Sequence, residues 1–309
     1  MIVRKTYLIK LFLLGIGCAL GQPPTSFWPV SLFCLLAFFY VLRQNTLTAQ
    51  LAFQSVFTFG LGYFLVTMNW IVEPFLVDIT AYGWLAPFAL TFMVAGLSFL
   101  WGLGAAVGCR LLQKVHLGLA LGIGIAEVLR GFLFTGFPWG LIGYVWSNTP
   151  IAQVSAYVGI YGLTLLTIFT SALAVLPRTG RNCVISITAL LGIIGITWTG
   201  GSYRIAQSKL DYSFNIVRLA QPNAPQALKW DPDYTRIFFE RLLTQTQAEP
   251  KPDLVIWPES ALPLPFEFAE DFLAELSHAA QGTPVLLGAL RIEQGRYFNS
   301  IIQLNSEGE

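Results

Sequence analysis

The sequence predicts a polytopic α-helical membrane domain of seven spans followed by a smaller α/β domain, on three observations. Of 309 residues, 55% are hydrophobic and only 11% charged, against roughly 25% charged in an ordinary soluble domain. The charge is also divided: residues 1–200 carry nine Lys/Arg against three acids, and residues 201–309 carry nine against fourteen. Finally, apolar runs approaching the ~20 residues that a bilayer-crossing helix needs recur in the first part alone. The two parts suit different solvents, so the domains are set at residues 1–200 and 201–309.

In chain order, the apolar runs cover residues 7–20, 27–42, 51–71, 84–112, 117–134, 151–176 and 184–199. The first is short and has Lys10 near its start, where a long stem can snorkel to the interface. No small-residue cleavage site stands out, so this run is expected to be retained as a span and not removed as a signal peptide. Arg4, Lys5, Arg43, Arg110, Lys114, Arg178 and Arg181 flank alternate ends of the spans, whereas Glu73 and Asp78 lie on the opposite side. Positive charge marks the cytoplasmic side. The N-terminus is therefore expected inside, and seven crossings leave residues 201–309 on the outer face.

Several chemistries have no residues to support them. Cys18, Cys34 and Cys109 lie in or beside apolar spans, Cys183 lies in a loop, and no C-x-x-C spacing occurs. His116 and His278 stand far apart without a ligand cluster, so neither a zinc or haem site nor a Ser-His-Asp triad is expected. There is no Gly-rich phosphate loop, and the near-zero net charge gives no sign of nucleic-acid binding. No cofactor or metal is expected.

One membrane segment departs from the apolar pattern. AEVLRGFLFTGFPWG, residues 126–140, places Glu127 and Arg130 three residues apart, on one helical face. A charge at mid-membrane costs roughly 2.5–3.5 kcal/mol on insertion scales, and pairing offsets part of that. Two readings stay open: an ion couple that fixes helix packing, or a site at membrane depth that orients a polar headgroup. Trp139, in the aromatic run that ends the helix, suits the interface.

The outer part alternates strands and helices: strands at 214–221, 254–257, 284–290 and 298–304, helices at 233–247 and 267–280, and a hairpin turn at 305–308. The second strand lies in DLVIWPESALP, residues 253–263, where a buried apolar run closes on Pro258 and is followed at once by an acid, Glu259.

Seven spans, EVLRGFLFTGFPWG (127–140), QPNAPQALKWDPD (221–233), DLVIWPESALP and FNSI (298–301) together resemble the apolipoprotein N-acyltransferase family, in order and over essentially the whole chain. The resemblance implies a bacterial inner-membrane enzyme whose extracytoplasmic domain is nitrilase-like, an αββα sandwich of which residues 201–309 would be the N-terminal portion. It implies a Glu-Lys-Cys mechanism that moves an acyl chain from a phospholipid donor to a diacylglyceryl-lipoprotein acceptor. Glu259 matches the family's general base, and Trp230 matches a tryptophan of the substrate pocket. With these, Glu127, Arg130 and Trp139 are the substrate-binding candidates.

The family's lysine and cysteine follow its FNSI-like strand, and residues 260–309 contain neither. The chain is therefore expected to be the front portion of such an enzyme, inactive alone. The alternative is a non-catalytic membrane protein that binds phospholipid or lipoprotein.

Overall fold

The computed structural model describes residues 2–43, 47–112, 115–175, 180–209, 212–225, 228–229, 231–307. The chain forms two compact units, Met1–Ser208 and Lys209–Glu309.

The first unit is helical: α1 Ile2–Ala19, α2 Trp28–Arg43, α3 Ala49–Thr67, the one-turn α4 Glu73–Leu76 and α5 Ile79–Tyr82, then α6 Ala86–Leu111, α7 Val115–Arg130, α8 Ser155–Val175 and α9 Gly180–Gln207. Among the described residues, the stretches Ala49–Thr67, Ile79–Leu111, Pro150–Val175 and Gly180–Gln207 are long and apolar enough to cross a membrane. The units divide later than the charge pattern suggests, because α9 runs on to Gln207 before the chain leaves the helical unit.

Local chemistry sets the helix ends. Thr48 caps α3, its side chain accepting from the Leu51 amide at 3.2 Å. The helix expected to reach residue 134 stops at Arg130, where Phe137 N donates back to Arg130 O at 2.8 Å and closes a loop through Gly136 (φ 80°). The span expected to reach residue 71 likewise ends at Thr67, and a 3₁₀ turn follows over Asn69–Val72. A Cβ on Gly104 would meet the Gly122 carbonyl, and one on Gly108 the Gly118 carbonyl, so α6 and α7 pack backbone to backbone, as small residues permit in membranes. Trp101, Tyr63, Phe38, Phe59 and Phe64 fill the centre of this unit.

The second unit is one four-stranded sheet of order β1-β2-β3-β4: β1 Val217–Leu219, β2 Leu254–Ile256, β3 Val285–Glu293 and β4 Arg296–Leu304. The first two pairings are parallel and the last antiparallel. The helices are α10 Pro232–Gln247 and α11 Glu270–Ala280. Asp231 caps α10, accepting from Asp233 N at 3.0 Å, with Pro232 in the first turn. Val255, Val285, Leu287, Ala289 and Leu304 join Phe239, Leu242 and Leu276 in one core, so one sheet face is covered by helices. The other face is apolar and open: Leu219 is 73% and Ile301 79% exposed. β3 and β4 form a hairpin whose turn, Gln294 (φ 51°) and Gly295 (φ 74°), follows the left-handed two-residue pattern. β3 thus runs on to Glu293, three residues past the end expected from sequence, because cross-strand pairing continues to this turn. The turn expected at 305–308 extends beyond the described residues, although Glu307 N does donate to the Asn305 side chain at 2.9 Å.

Candidate functional site

Glu259 stands just past the C-terminal end of the parallel strand β2. Gly288 N donates to Pro258 O at 3.2 Å and Ala261 N to Gly288 O at 2.8 Å, so β3 grips the backbone on both sides of the acid. Ser260 follows in the left-handed region (φ 50°), which turns the chain away from the sheet. β4 supplies the partner: Asn299 Nδ2 donates to Glu259 Oε1 at 2.6 Å, a charge-assisted bond. The strand behind the acid is buried, as expected, with Val255 and Trp257 in the core, but Glu259 itself is exposed. Its strand-end position places the acid beyond the packed layer.

Two hollows meet at this carboxylate. One, of about 240 Å³, has an apolar floor of Phe238, Phe239 and Leu242 from α10, with Lys229 and Glu259 on its walls. Lys229 Nζ donates to the Glu259 carbonyl at 3.2 Å. Its third wall, Gln221 and Pro222, is fixed to α10: Gln221 N donates to Gln245 Oε1 and Gln245 Nε2 to Gln221 O, both at 2.8 Å, while Arg241 donates to Pro222 O at 3.1 Å. The other hollow, of about 600 Å³, runs along the open sheet face past Ile256, Gly288, Asn299 and Ile301. Trp230 lies outside the described residues.

The remaining candidates belong to the helical unit. Glu127 and Arg130 are 0% and 2% exposed and form an ion pair, Nε to Oε1 at 2.7 Å. Trp101 Nε1 donates to the same oxygen at 2.7 Å, and Ile142 N to Oε2 at 3.2 Å. Arg130 Nη1 donates to the carbonyls of Phe137 at 2.9 Å and Trp139 at 2.7 Å. Trp139 is the exposed member, at 58%, and lies edge-on to Trp70 with centroids 6.1 Å apart.

The i, i+3 spacing identifies Glu127 with Arg130, but no comparable local spacing singles out Trp101, Tyr63, Gln22 or Asn299. A polar atom inside an apolar span was the available signal for Trp101 and Tyr63, and FNSI for Asn299. Among the described residues, no three His, Cys, Asp or Glu converge to hold a metal ion.

Apolar helices of membrane-crossing length, followed by an α/β unit with a carboxylate at its parallel strand ends, define a membrane protein with an appended α/β domain. Residues 14–173 match the family model described as the apolipoprotein N-acyltransferase N-terminal domain. A protein of Brucella suis biovar 1 named apolipoprotein N-acyltransferase is 35% identical over 270 residues, 81% of this chain and 51% of that protein. Proteins of the same name from Allorhizobium ampelinum and Caulobacter vibrioides are each 33% identical over 94% of this chain, covering 60% and 58% of theirs. The chain thus spans between half and three-fifths of these relatives' length. It belongs to the apolipoprotein N-acyltransferase family.

Proposed function

We propose that the protein is the acyltransferase of lipoprotein maturation, moving an acyl chain from a membrane phospholipid to the α-amino group of the diacylglyceryl-cysteine at a lipoprotein N-terminus. One observation carries this beyond the family name: Glu259, presented at the end of β2, hydrogen-bonded by Asn299 and open to two hollows.

In the Glu-Lys-Cys reaction, a thiolate attacks the ester carbonyl of the phospholipid, forming a thioester and releasing the lysophospholipid. The acceptor amine then attacks the thioester, forming the amide and returning the thiol. A free thiol titrates near 8.5, so a placed base is needed to supply thiolate. Glu259 takes the thiol proton and passes it to the departing lysophospholipid oxygen, then takes a proton from the attacking amine and returns it to the departing thiolate. Residues 201–309 supply this one member of the three. The chain's four cysteines all belong to the helical unit, with Cys18, Cys34 and Cys109 buried, and none is proposed as the nucleophile.

The membrane placement belongs to the same proposal. α1, α2, α3, α6, α7, α8 and α9 are seven crossings of the inner membrane, with the N-terminus cytoplasmic and the α/β unit periplasmic, as the positive loops favour. The open apolar sheet face supports a nitrilase-like αββα sandwich, in which a second sheet covers Leu219 and Ile301. Trp139 and Trp230 contact the lipid substrates.

The test uses the protein expressed from its complete gene, in proteoliposomes with phosphatidylethanolamine and a diacylglyceryl lipopeptide. The wild type is expected to N-acylate the peptide, and Glu259→Gln to lower the rate by about 10²–10⁴. An E259Q protein with undiminished transfer would overturn the assignment of the base, and no transfer by the wild type would overturn the function.

A further inference from the structure

We propose that Glu127 and Arg130 are positioning residues that hold Trp139, with Trp70, as a fixed aromatic platform for the glycerol-ester region of a phospholipid. The inference rests on the lipid-acyltransferase reading above and assigns this ion pair a task within it. Neither charged side chain reaches the surface, and apart from each other and the Trp101 indole, what they grip is backbone. Arg130 holds the carbonyls of Phe137 and Trp139, and Glu127 holds the Ile142 amide. Between them, Tyr63 OH donates to Gly140 O at 3.1 Å and Gln22 Nε2 to Leu141 O at 3.0 Å. Consecutive peptide groups from 139 to 142 are thus fixed by α3, α7 and Gln22 in the turn after α1. Gly140 takes φ +64°, a left-handed conformation that favours glycine at the loop's exit.

The side chains of the same loop divide. Leu141 and Ile142 are buried and Phe137 packs on the core, whereas Trp139 is turned outward against Trp70, 45% exposed, at an interplanar angle of 70°. An ion pair needed only for helix packing would not require both Nη1 bonds to end on one loop's carbonyls. Indoles favour the lipid interface because an apolar body carries one N–H donor, which suits ester carbonyls beside methylene chains. A ring held by its own backbone meets that ligand without first being ordered.

The experiment labels the full chain with 5-fluorotryptophan in phosphatidylethanolamine/phosphatidylglycerol nanodiscs and reads ¹⁹F spectra. Lines are assigned by Trp139→Phe, Trp70→Phe and Trp101→Phe. A lipid carrying a nitroxide at the fifth acyl carbon is expected to broaden the Trp139 line at least twofold more than the buried Trp101 line. Arg130→Lys keeps a cation beside Glu127 but has no second nitrogen to hold the two carbonyls, as Nη1 does, while Nε holds Glu127. It is expected to shift the Trp139 and Trp70 lines and to halve the nitroxide broadening, leaving the Trp28 and Trp198 lines in place. Should R130K fail to fold, Tyr63→Phe, which removes one bond to the loop, is expected to act in the same direction. A Trp139 line indifferent to the nitroxide lipid, or unmoved in the variants that fold, overturns the proposal. Acyl transfer is not read, so failure here is distinct from failure of the E259Q test.

Discussion

A methyl group on Gly288 would stand 2.6 Å from the Cα of Glu259 and 2.7 Å from the Pro258 carbonyl oxygen. β3 and the loop that carries the acid therefore touch backbone to backbone, and that contact sets where the Glu259 backbone stands. Gly288→Ala must push the loop away. Overpacking of this kind costs about 1–3 kcal/mol, and a shift near 1 Å at a reacting group costs about 10²-fold in rate. The expected result is a lowered unfolding temperature and a large loss of acyl transfer, and a G288A protein matching wild type in both would show that the loop has room.

Asn299 is expected to matter through Glu259 alone. Asn299→Ala removes the 2.6 Å bond to Oε1, leaving the carboxylate free to rotate, and a tenfold or greater fall in acyl-transfer rate is expected. In E259Q the same change should add little, because residues acting as one unit are not additive. Rates for the two single variants and the double variant decide it: independent losses that multiply would mean that Asn299 serves something else.

How far this was legible from sequence depended on the range of each interaction. The apolar runs located the long helices, since length and hydropathy alone determine that, but where α7 stops depends on Phe137 returning to the Arg130 carbonyl. The Glu127–Arg130 couple was visible as an i, i+3 spacing. The other partners of Glu127, Trp101 and Ile142, are 26 and 15 residues away and belong to other elements. WPES pointed to Glu259 but not to its exposure, because whether a strand-end side chain is covered depends on what packs beyond the sheet. The β3–β4 turn was missed because Arg291–Arg296 looks like a polar loop, whereas cross-strand pairing runs through to Glu293 and Arg296.

Arg236 on α10 meets Glu275 on α11 through two bonds of 2.8 Å and also reaches Glu240 at 2.9 Å. The Arg236 hydrogen bonds hold the Glu275 carboxyl below its usual range of about 4.5. A carboxyl depressed by folding contributes stability above its unfolded value and loses it as pH falls through the folded one. The contribution therefore disappears at pH below 4.5, and it is small because the pair is exposed and screened. Glu275→Gln should unfold slightly earlier than wild type near neutrality, and the gap should close on acidification. A gap that widens in acid would contradict the sign.

The buried pair distinguishes two kinds of loss. Removing one member strands the other without water, so Arg130→Met is expected to cost about 3–5 kcal/mol, read as a lowered unfolding temperature in detergent micelles. Replacing both, Glu127→Leu with Arg130→Met, relieves the stranded charge, and in general such a swap is close to neutral. Here it cannot be fully neutral. The Phe137 and Trp139 carbonyls lose the Nη1 donor, the Ile142 amide loses its acceptor, and Trp101 Nε1 is left without the carboxylate. Each buried polar group left unmade costs about 1–3 kcal/mol, although a loop that relaxes toward the interface recovers part of that from water. The double variant should therefore remain less stable than wild type, and amide exchange at residues 137–142 should rise while exchange in α6 and α8 stays slow. Recovery to wild-type stability with unchanged exchange would mean that the pair serves helix packing and not the loop above it.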